Sequence, residues 1–167
     1  MKFIAALALA AAVSTPALAE GFYAGADLGR SKLEVDVGNG YTASTNASSY
    51  SIFAGYQFNK NFGAEIGYRD LGKKTFATDT LKANATQISL IASVPLSNEF
   101  DLFGRIGIAS LEAKDNSGSE TKSKAVYGVG ARYAVTKEFG IRGEYDQYDK
   151  WDGATFSVWS IGGDYRF

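Results

Sequence analysis

The sequence predicts an all-β protein, an eight-stranded antiparallel up-and-down β-barrel that spans a membrane, and three observations predict it. The first is the final stretch, Thr155 to Phe167. There Trp159, Ile161, Gly163, Tyr165 and Phe167 share one face at period two, and Ser160, Gly162, Asp164 and Arg166 the other. The second is a rhythm of connections that alternates long and short between eight such stretches. The third is the start of the chain. Met1 to Ala19 holds Lys2, an uncharged run from Phe3 to Val13, Pro16 and the small-residue site Ala17-Leu18-Ala19, the pattern of a secretory signal peptide. Its apolar run is shorter than the ~18 residues that a spanning helix needs.

Cleavage is expected after Ala19, making residues 1–19 a signal peptide and 20–167 a single barrel domain. Losing Lys2 takes the formal net charge from −1 to −2, so no long-range attraction to nucleic acid is expected. With no Cys, an exported protein of this size must hold together without disulfides. A closed barrel does that. No later apolar run approaches spanning length, so a membrane form crosses by strands.

Phe22 to Arg30 sets Phe22, Ala24, Ala26 and Leu28 against Tyr23, Gly25, Asp27 and Gly29, a first strand. Ser31 to Ser49, rich in Ser, Thr and Asn with a Gly38-Asn39-Gly40 turn signal, reads as a long exposed loop. Strand two covers Tyr50 to Phe58. Asn59-Lys60-Asn61 turns tightly into Phe62 to Arg69, where Phe62, Ala64, Ile66 and Tyr68 oppose Gly63, Glu65, Gly67 and Arg69. Asp70 to Ala83 is again long and polar. Strand four, Asn84 to Pro95, aligns Ile88, Leu90, Ala92 and Val94. Ser97-Asn98-Glu99 then turns into strand five, with Leu102, Ile106 and Ile108 against Phe103, Arg105 and Gly107. Glu112 to Lys124 reads as a charged, Ser-rich loop. Strand six, Ala125 to Val135, sets Tyr127, Val129, Ala131 and Tyr133 against Gly128, Gly130 and Arg132, and Thr136-Lys137-Glu138 is the third short turn. Strand seven, Phe139 to Gln147, sets Ile141 and Tyr145 against Arg142 and Glu144. Tyr148 to Ala154 connects it to the final strand.

Alternation alone leaves open which face is inside, since a soluble ligand-carrying barrel would turn its apolar face inward. Magnitudes decide once a membrane is present. An Arg facing lipid at the midplane costs ~2–4 kcal/mol, so three of them outward would cost about as much as folding yields. Arg105, Arg132 and Arg142 are therefore expected inside. The aromatics agree, for Phe22, Phe58, Phe62, Phe100, Tyr133, Phe139, Tyr165 and Phe167 fall near the short-turn or terminal rim. Tyr50, Tyr68, Tyr127 and Tyr145 fall toward the long-loop rim. Two interfacial girdles are the expected reading.

The chain lacks His as well as Cys, which removes the usual base and thiol nucleophile, and no enzymatic activity or cofactor is expected. Asp146, Asp149 and Asp152 before Gly153 stand three apart. That spacing does not match the alternating ligands of a Ca²⁺ loop, so no metal is expected and the segment reads as a solvated acidic loop. Asn46-Ala47-Ser48 and Asn84-Ala85-Thr86 match a glycosylation pattern by chance.

The run N-K-N-F-G-A-E-I-G-Y-R-D-L-G from Asn59 to Gly72 resembles the transmembrane domain of the outer membrane protein A family. So do F-Y-A-G-A-D-L-G from Phe22, A-G-Y-Q-F-N from Ala54, V-P-L-S-N-E-F-D-L-F-G-R-I-G from Val94 and I-R-G-E-Y from Ile141. The resemblance covers nearly the whole mature chain. Because the sequence stops at the barrel, it is similar to the small stand-alone barrels of the outer membrane protein X type. It implies a Gram-negative outer-membrane location, contact with outer-membrane lipid and lipopolysaccharide, and delivery by the barrel-assembly machinery through Phe167. It also implies an inner gating pair at Glu65 and Arg142, with Ile91 and Asp27 where the family has inner Lys residues and Arg132 where it has Glu.

By face assignment the interior takes Asp27, Glu65, Glu144 and Asp164 against Arg105, Arg132, Arg142 and Arg166. This balanced set is expected to form a plug of ion pairs, because eight strands enclose little more than their own side chains. The four long connections carry mixed charge and the aromatics Tyr41, Phe76, Tyr148 and Trp151. A monomeric structural or surface-interaction barrel meeting host or environmental ligands is therefore the expected function, and a narrow, mostly closed pore for ions or small solutes is the alternative.

Overall fold

The computed structural model describes residues 21–36, 42–76, 79–114, 119–151 and 154–167. Its strands are β1 (Gly21–Asp36), β2 (Thr42–Gln57), β3 (Phe62–Phe76), β4 (Asp79–Pro95), β5 (Phe100–Lys114), β6 (Ser119–Ala134), β7 (Phe139–Trp151) and β8 (Ala154–Arg166). Neighbours in sequence pair antiparallel, and β8 pairs with β1, so the sheet is a closed barrel. Closure leaves the wall no open edge, the condition for strands to cross hydrocarbon.

Three short turns on one rim are built alike. Asn59 Oδ1 accepts the N–H groups of Asn61 and Phe62, Ser97 Oγ those of Glu99 and Phe100, and Thr136 Oγ1 those of Glu138 and Phe139. Phe58, Leu96 and Val135 each donate an N–H to the carbonyl of the Phe that ends the turn, at 2.8–2.9 Å. The short polar side chain thus supplies the bonds that the reversing backbone cannot make for itself. Carbonyls of Asn61, Glu99 and Glu138 accept from Ser93, Ala134 and Arg166, which ties each turn to the next hairpin.

At the opposite rim the strands run further than the sequence reading allowed. Ser31↔Ala47, Lys82↔Lys114 and Leu111↔Lys122 are register pairs, so much of the expected loops at Ser31 to Ser49, Asp70 to Ala83 and Glu112 to Lys124 is ladder. Tyr148 likewise pairs with Phe156. Tyr41, Asp152 and Gly153 lie outside the described residues, as does residues 1–19, the expected signal peptide. The extension was hidden because period two continues there with its sense reversed. Through the wall the outward residues are apolar: Leu28, Ile66, Ile108 and Trp159 are 57–70% exposed. Beyond it Leu33, Leu71, Leu111, Val126, Phe156 and Val158 turn inward and bury, while Lys32, Ser44, Asn46, Lys82, Thr86 and Thr121 are exposed. Ala83, Ala85 and Ala109 complete this internal apolar core. The outer face meets hydrocarbon at one level and water at the other, so the apolar side must change faces between them.

This crown parts into two lobes. β2 and β3 stay in register from Gln57↔Gly63 only to Tyr50↔Asp70, and β6 and β7 from Ala134↔Gly140 only to Val126↔Tyr148. Above those pairs β7, β8, β1 and β2 continue as one sheet, and β3 to β6 as the other. Gly72 marks one parting. Its φ of +82° favours glycine, the β3–β4 register shifts between Asp70 and Lys73, and its N–H donates to Asp70 Oδ1 at 2.7 Å.

Candidate functional site

The barrel interior gathers the buried charges of the described residues. At its centre Arg142 donates to Glu65 at 2.9 Å and to Glu144 at 2.6 Å, while Arg105 donates to Glu65 from the other side. Arg105 Nε also lies 2.6 Å from Glu144 Oε1, an ion pair turned off the hydrogen-bond direction. Toward the crown Arg69 forks onto Asp27 at 3.1 and 3.2 Å and reaches Asp146 at 3.3 Å, and the Ser51 hydroxyl donates to Asp27. Toward the turn rim Arg132 Nε donates to both oxygens of Asp164, at 2.8 and 2.9 Å.

Aromatic side chains close the network above and below. The Arg142 guanidinium lies over the rings of Phe53 and Phe103, 4.4 and 4.8 Å from their centroids. Tyr23 donates to Glu65 at 3.3 Å, and Tyr148 donates to Gln87 at 3.0 Å beneath the apolar crown core. Glycine makes the room. A Cβ on Gly25 would strike the Phe53 ring, on Gly55 the Tyr23 ring, on Gly130 the Phe103 ring and on Gly128 the Asp146 carboxylate. Each is a register pair, so a large inward residue stands directly opposite a residue with no side chain.

Of the residues singled out from sequence, Asp27, Glu65, Arg105, Arg132, Arg142, Glu144 and Asp164 are buried inside the barrel. Arg166 is half-buried at the turn-side mouth, where a basin of about 640 Å³ is lined by Gln57, Lys60, Asp101, Arg132 and Arg166. Ile91 is buried beside Tyr23, Phe103 and Arg142. Two charges of the network were left out of the sequence ledger, Arg69 and Asp146. Asp146 is no part of a solvated loop: it is fully buried against Arg69. Tyr148 is likewise fully buried rather than offered as a loop aromatic. Continuing the inward period of strand seven two steps past Glu144 would have found both.

On the outer face Phe22, Tyr50, Phe58, Phe62, Tyr68, Tyr127, Tyr133, Phe139, Tyr165 and Phe167 are 39–65% exposed. Tyr145 is half-buried, its ring 4.6 Å from that of Trp159.

An apolar outer wall around a charged, filled interior is what a chain needs in order to sit in lipid as a closed barrel. The profile of the outer membrane protein beta-barrel domain family matches residues 3–167. The chain belongs to that family. This barrel domain is accordingly a protein of the Gram-negative outer membrane, in contact with its lipid. Outer membrane protein A of Salmonella typhi is 31% identical over 140 residues, covering 74% of this chain and 40% of that protein. Outer membrane protein P5 of Haemophilus influenzae is 29% identical over 175 residues, covering 85% and 49%. The domain thus spans less than half the length of these relatives. Among solved structures, Neisserial surface protein A superposes with a TM-score of 0.72 at 20% identity, covering 89% of this chain and 99% of that one. Ail of Yersinia pestis gives 0.60 at 21%, covering 88% and 99%. These two share the fold.

Proposed function

We propose that this outer-membrane barrel is a non-enzymatic, monomeric surface-interaction protein whose crown meets ligands outside the cell. The observation that carries the reading is the inverted crown: strands continue past the apolar wall around a core of their own and offer polar outer faces to water. In this reading the short turns face the periplasm, residues 1–19 are removed on export, and Phe167 is the signal read by the assembly machinery. The exposed Phe and Tyr residues of both rims anchor the interfaces. Ail, solved in complex with the heparin analogue sucrose octasulfate, supports the idea that a barrel of this fold takes a ligand. The test compares adherence of cells bearing the whole protein with cells bearing a version whose hairpins are shortened to the wall. Loss of adherence on trimming, with the folded and boiled chains still separating on a gel, is expected. Equal adherence overturns the reading.

One observation favours a second reading, a narrow pore. Glu65 has two arginine partners and Arg142 two carboxylates, so the central pairs can exchange without leaving a charge unmatched.

A further inference from the structure

We propose that the basin at the turn-side mouth is a binding site for a small hydroxylated oxyanion, a phosphate monoester of a sugar or polyol, taken from solution rather than from the membrane. The basin lies at the opposite end of the barrel from the crown and does not depend on what the crown meets.

The pairing of charges inside the barrel leaves one arginine over. Arg69, Arg105, Arg132 and Arg142 between them engage all five buried acids, Asp27, Glu65, Glu144, Asp146 and Asp164. Arg166 shares the inward face of β8 with Asp164 and lines the basin, yet its side chain joins no ion pair or hydrogen bond among the described residues, and its Nε is buried without a partner. The main chain beneath it is fixed, since its N–H donates to the Glu138 carbonyl at 2.8 Å. A guanidinium held only at its root can turn onto a ligand without breaking a bond, and its planar fork fits an oxyanion.

Arg132 supplies the floor. Its side chain is 10% exposed and crosses Gly140, where a Cβ would strike the guanidinium, to reach Asp164. Nε is spent on the two Asp164 oxygens, and Nη2 has no partner. The same group lines both the basin and a crevice further in beside Tyr23, Phe103 and Arg142. Buried donors left unmade are rare in folded proteins. One at the floor of an open basin invites an acceptor from outside.

The rest of the basin narrows the class of ligand. Its volume of about 640 Å³ falls within the ~300–1,000 Å³ of small-molecule sites, more than a bare ion fills. Asp101, in register with Arg132, is half-buried in the same basin and also without a side-chain partner among the described residues. A carboxylate repels an anion laid against it and accepts from hydroxyls, so it selects a ligand that carries hydroxyls away from its charged end. Lys60 and Lys137 stand on the turns around the opening, while the Glu99 carboxylate already takes the Ser97 hydroxyl at 3.3 Å, so an anion approaches through a positive field. Outside this rim the wall presents Phe58, Phe62 and Phe139. A lipid headgroup would have to bend over them to reach Arg166, which makes a free solute the better occupant.

The folded protein in phosphatidylcholine nanodiscs is titrated with glucose 6-phosphate in a calorimeter. Saturable binding is expected, with inorganic phosphate weaker and glucose silent. Arg166→Gln should weaken glucose 6-phosphate about tenfold or more. Because Arg166 holds no ion pair, the boiled and unboiled gel positions stay as in the parent. Asp101→Asn should narrow the gap between glucose 6-phosphate and inorganic phosphate. Absence of binding at millimolar ligand overturns the proposal, and so does binding that Arg166→Gln leaves undiminished, which puts the anion elsewhere on the barrel. Inorganic phosphate bound as tightly as glucose 6-phosphate overturns the hydroxylated class. A parent that falls to the affinity of Arg166→Gln once phosphatidic acid is added to the disc gives the basin to a lipid headgroup and overturns the free solute.

Discussion

Phe103 and Gly130 face each other across the β5–β6 pair, and the substitution of either is felt by the other. Gly130→Ala would drive a methyl group into the edge of the Phe103 ring and to 2.6 Å from the Gly143 carbonyl oxygen, and the Phe103 ring carries Arg142 on its face. A loss of about 1–3 kcal/mol is expected from overpacking. Phe103→Leu in the same chain should return part of it, a non-additivity read from urea unfolding in lipid vesicles. Additive losses would show that the pair does not share one volume. The frequency of Gly in the sequence was visible from the start. Its meaning was not, because opposition of large and small needs the register, and register is a property of two strands rather than one.

The strands could be counted from sequence, since eight runs of alternating residues and three Asn, Ser or Thr turns mark themselves. Their upper ends could not. Leu33, Leu71 and Leu111 stand among Lys, Ser and Glu, and a sparse apolar residue in a polar stretch looks like a loop until its neighbours at two-residue spacing are followed inward. That is also why Asp146 and Tyr148 were missed while Glu144, two residues earlier, was placed inside. The crown core makes its own prediction. Leu111→Ala removes a side chain only 1% exposed and should cost the crown about 2–4 kcal/mol. The expected result is faster protease cutting confined to segments above Ile108, with the folded gel position retained. Loss of the folded position would show that crown and wall unfold as one unit.

Among the described residues five acids and four arginines are buried inside the barrel, and half-buried Arg166 at the turn-side mouth completes the balance. Asp146 and Arg69 enter the ledger together, so the sequence reading of four against four becomes five against five without a net change. Ion pairs at mid-height and an apolar core above them predict rare, small conductance for the native barrel in planar bilayers. Arg105→Ala with Arg142→Ala strips Glu65 of both arginines, a change of about 3–5 kcal/mol for a buried charge left unmatched. Conductance should rise and stability fall together. Large, steady native currents, or a double variant as tight and stable as the parent, would sink the plug.

The change of faces partway along each strand also fixes how deep the protein floats. Two residues of strand, at ~3.3 Å each and a tilt of ~40°, amount to about 5 Å of depth. Sinking by that much would draw Arg30, Asp70 and Thr86 into hydrocarbon, and rising by as much would lift Leu28, Ile88, Ile108 and Trp159 into water. Both directions are uphill from the same level. In a bilayer thicker or thinner than the apolar wall, the barrel therefore keeps its own level and the surrounding lipid changes its length to meet it.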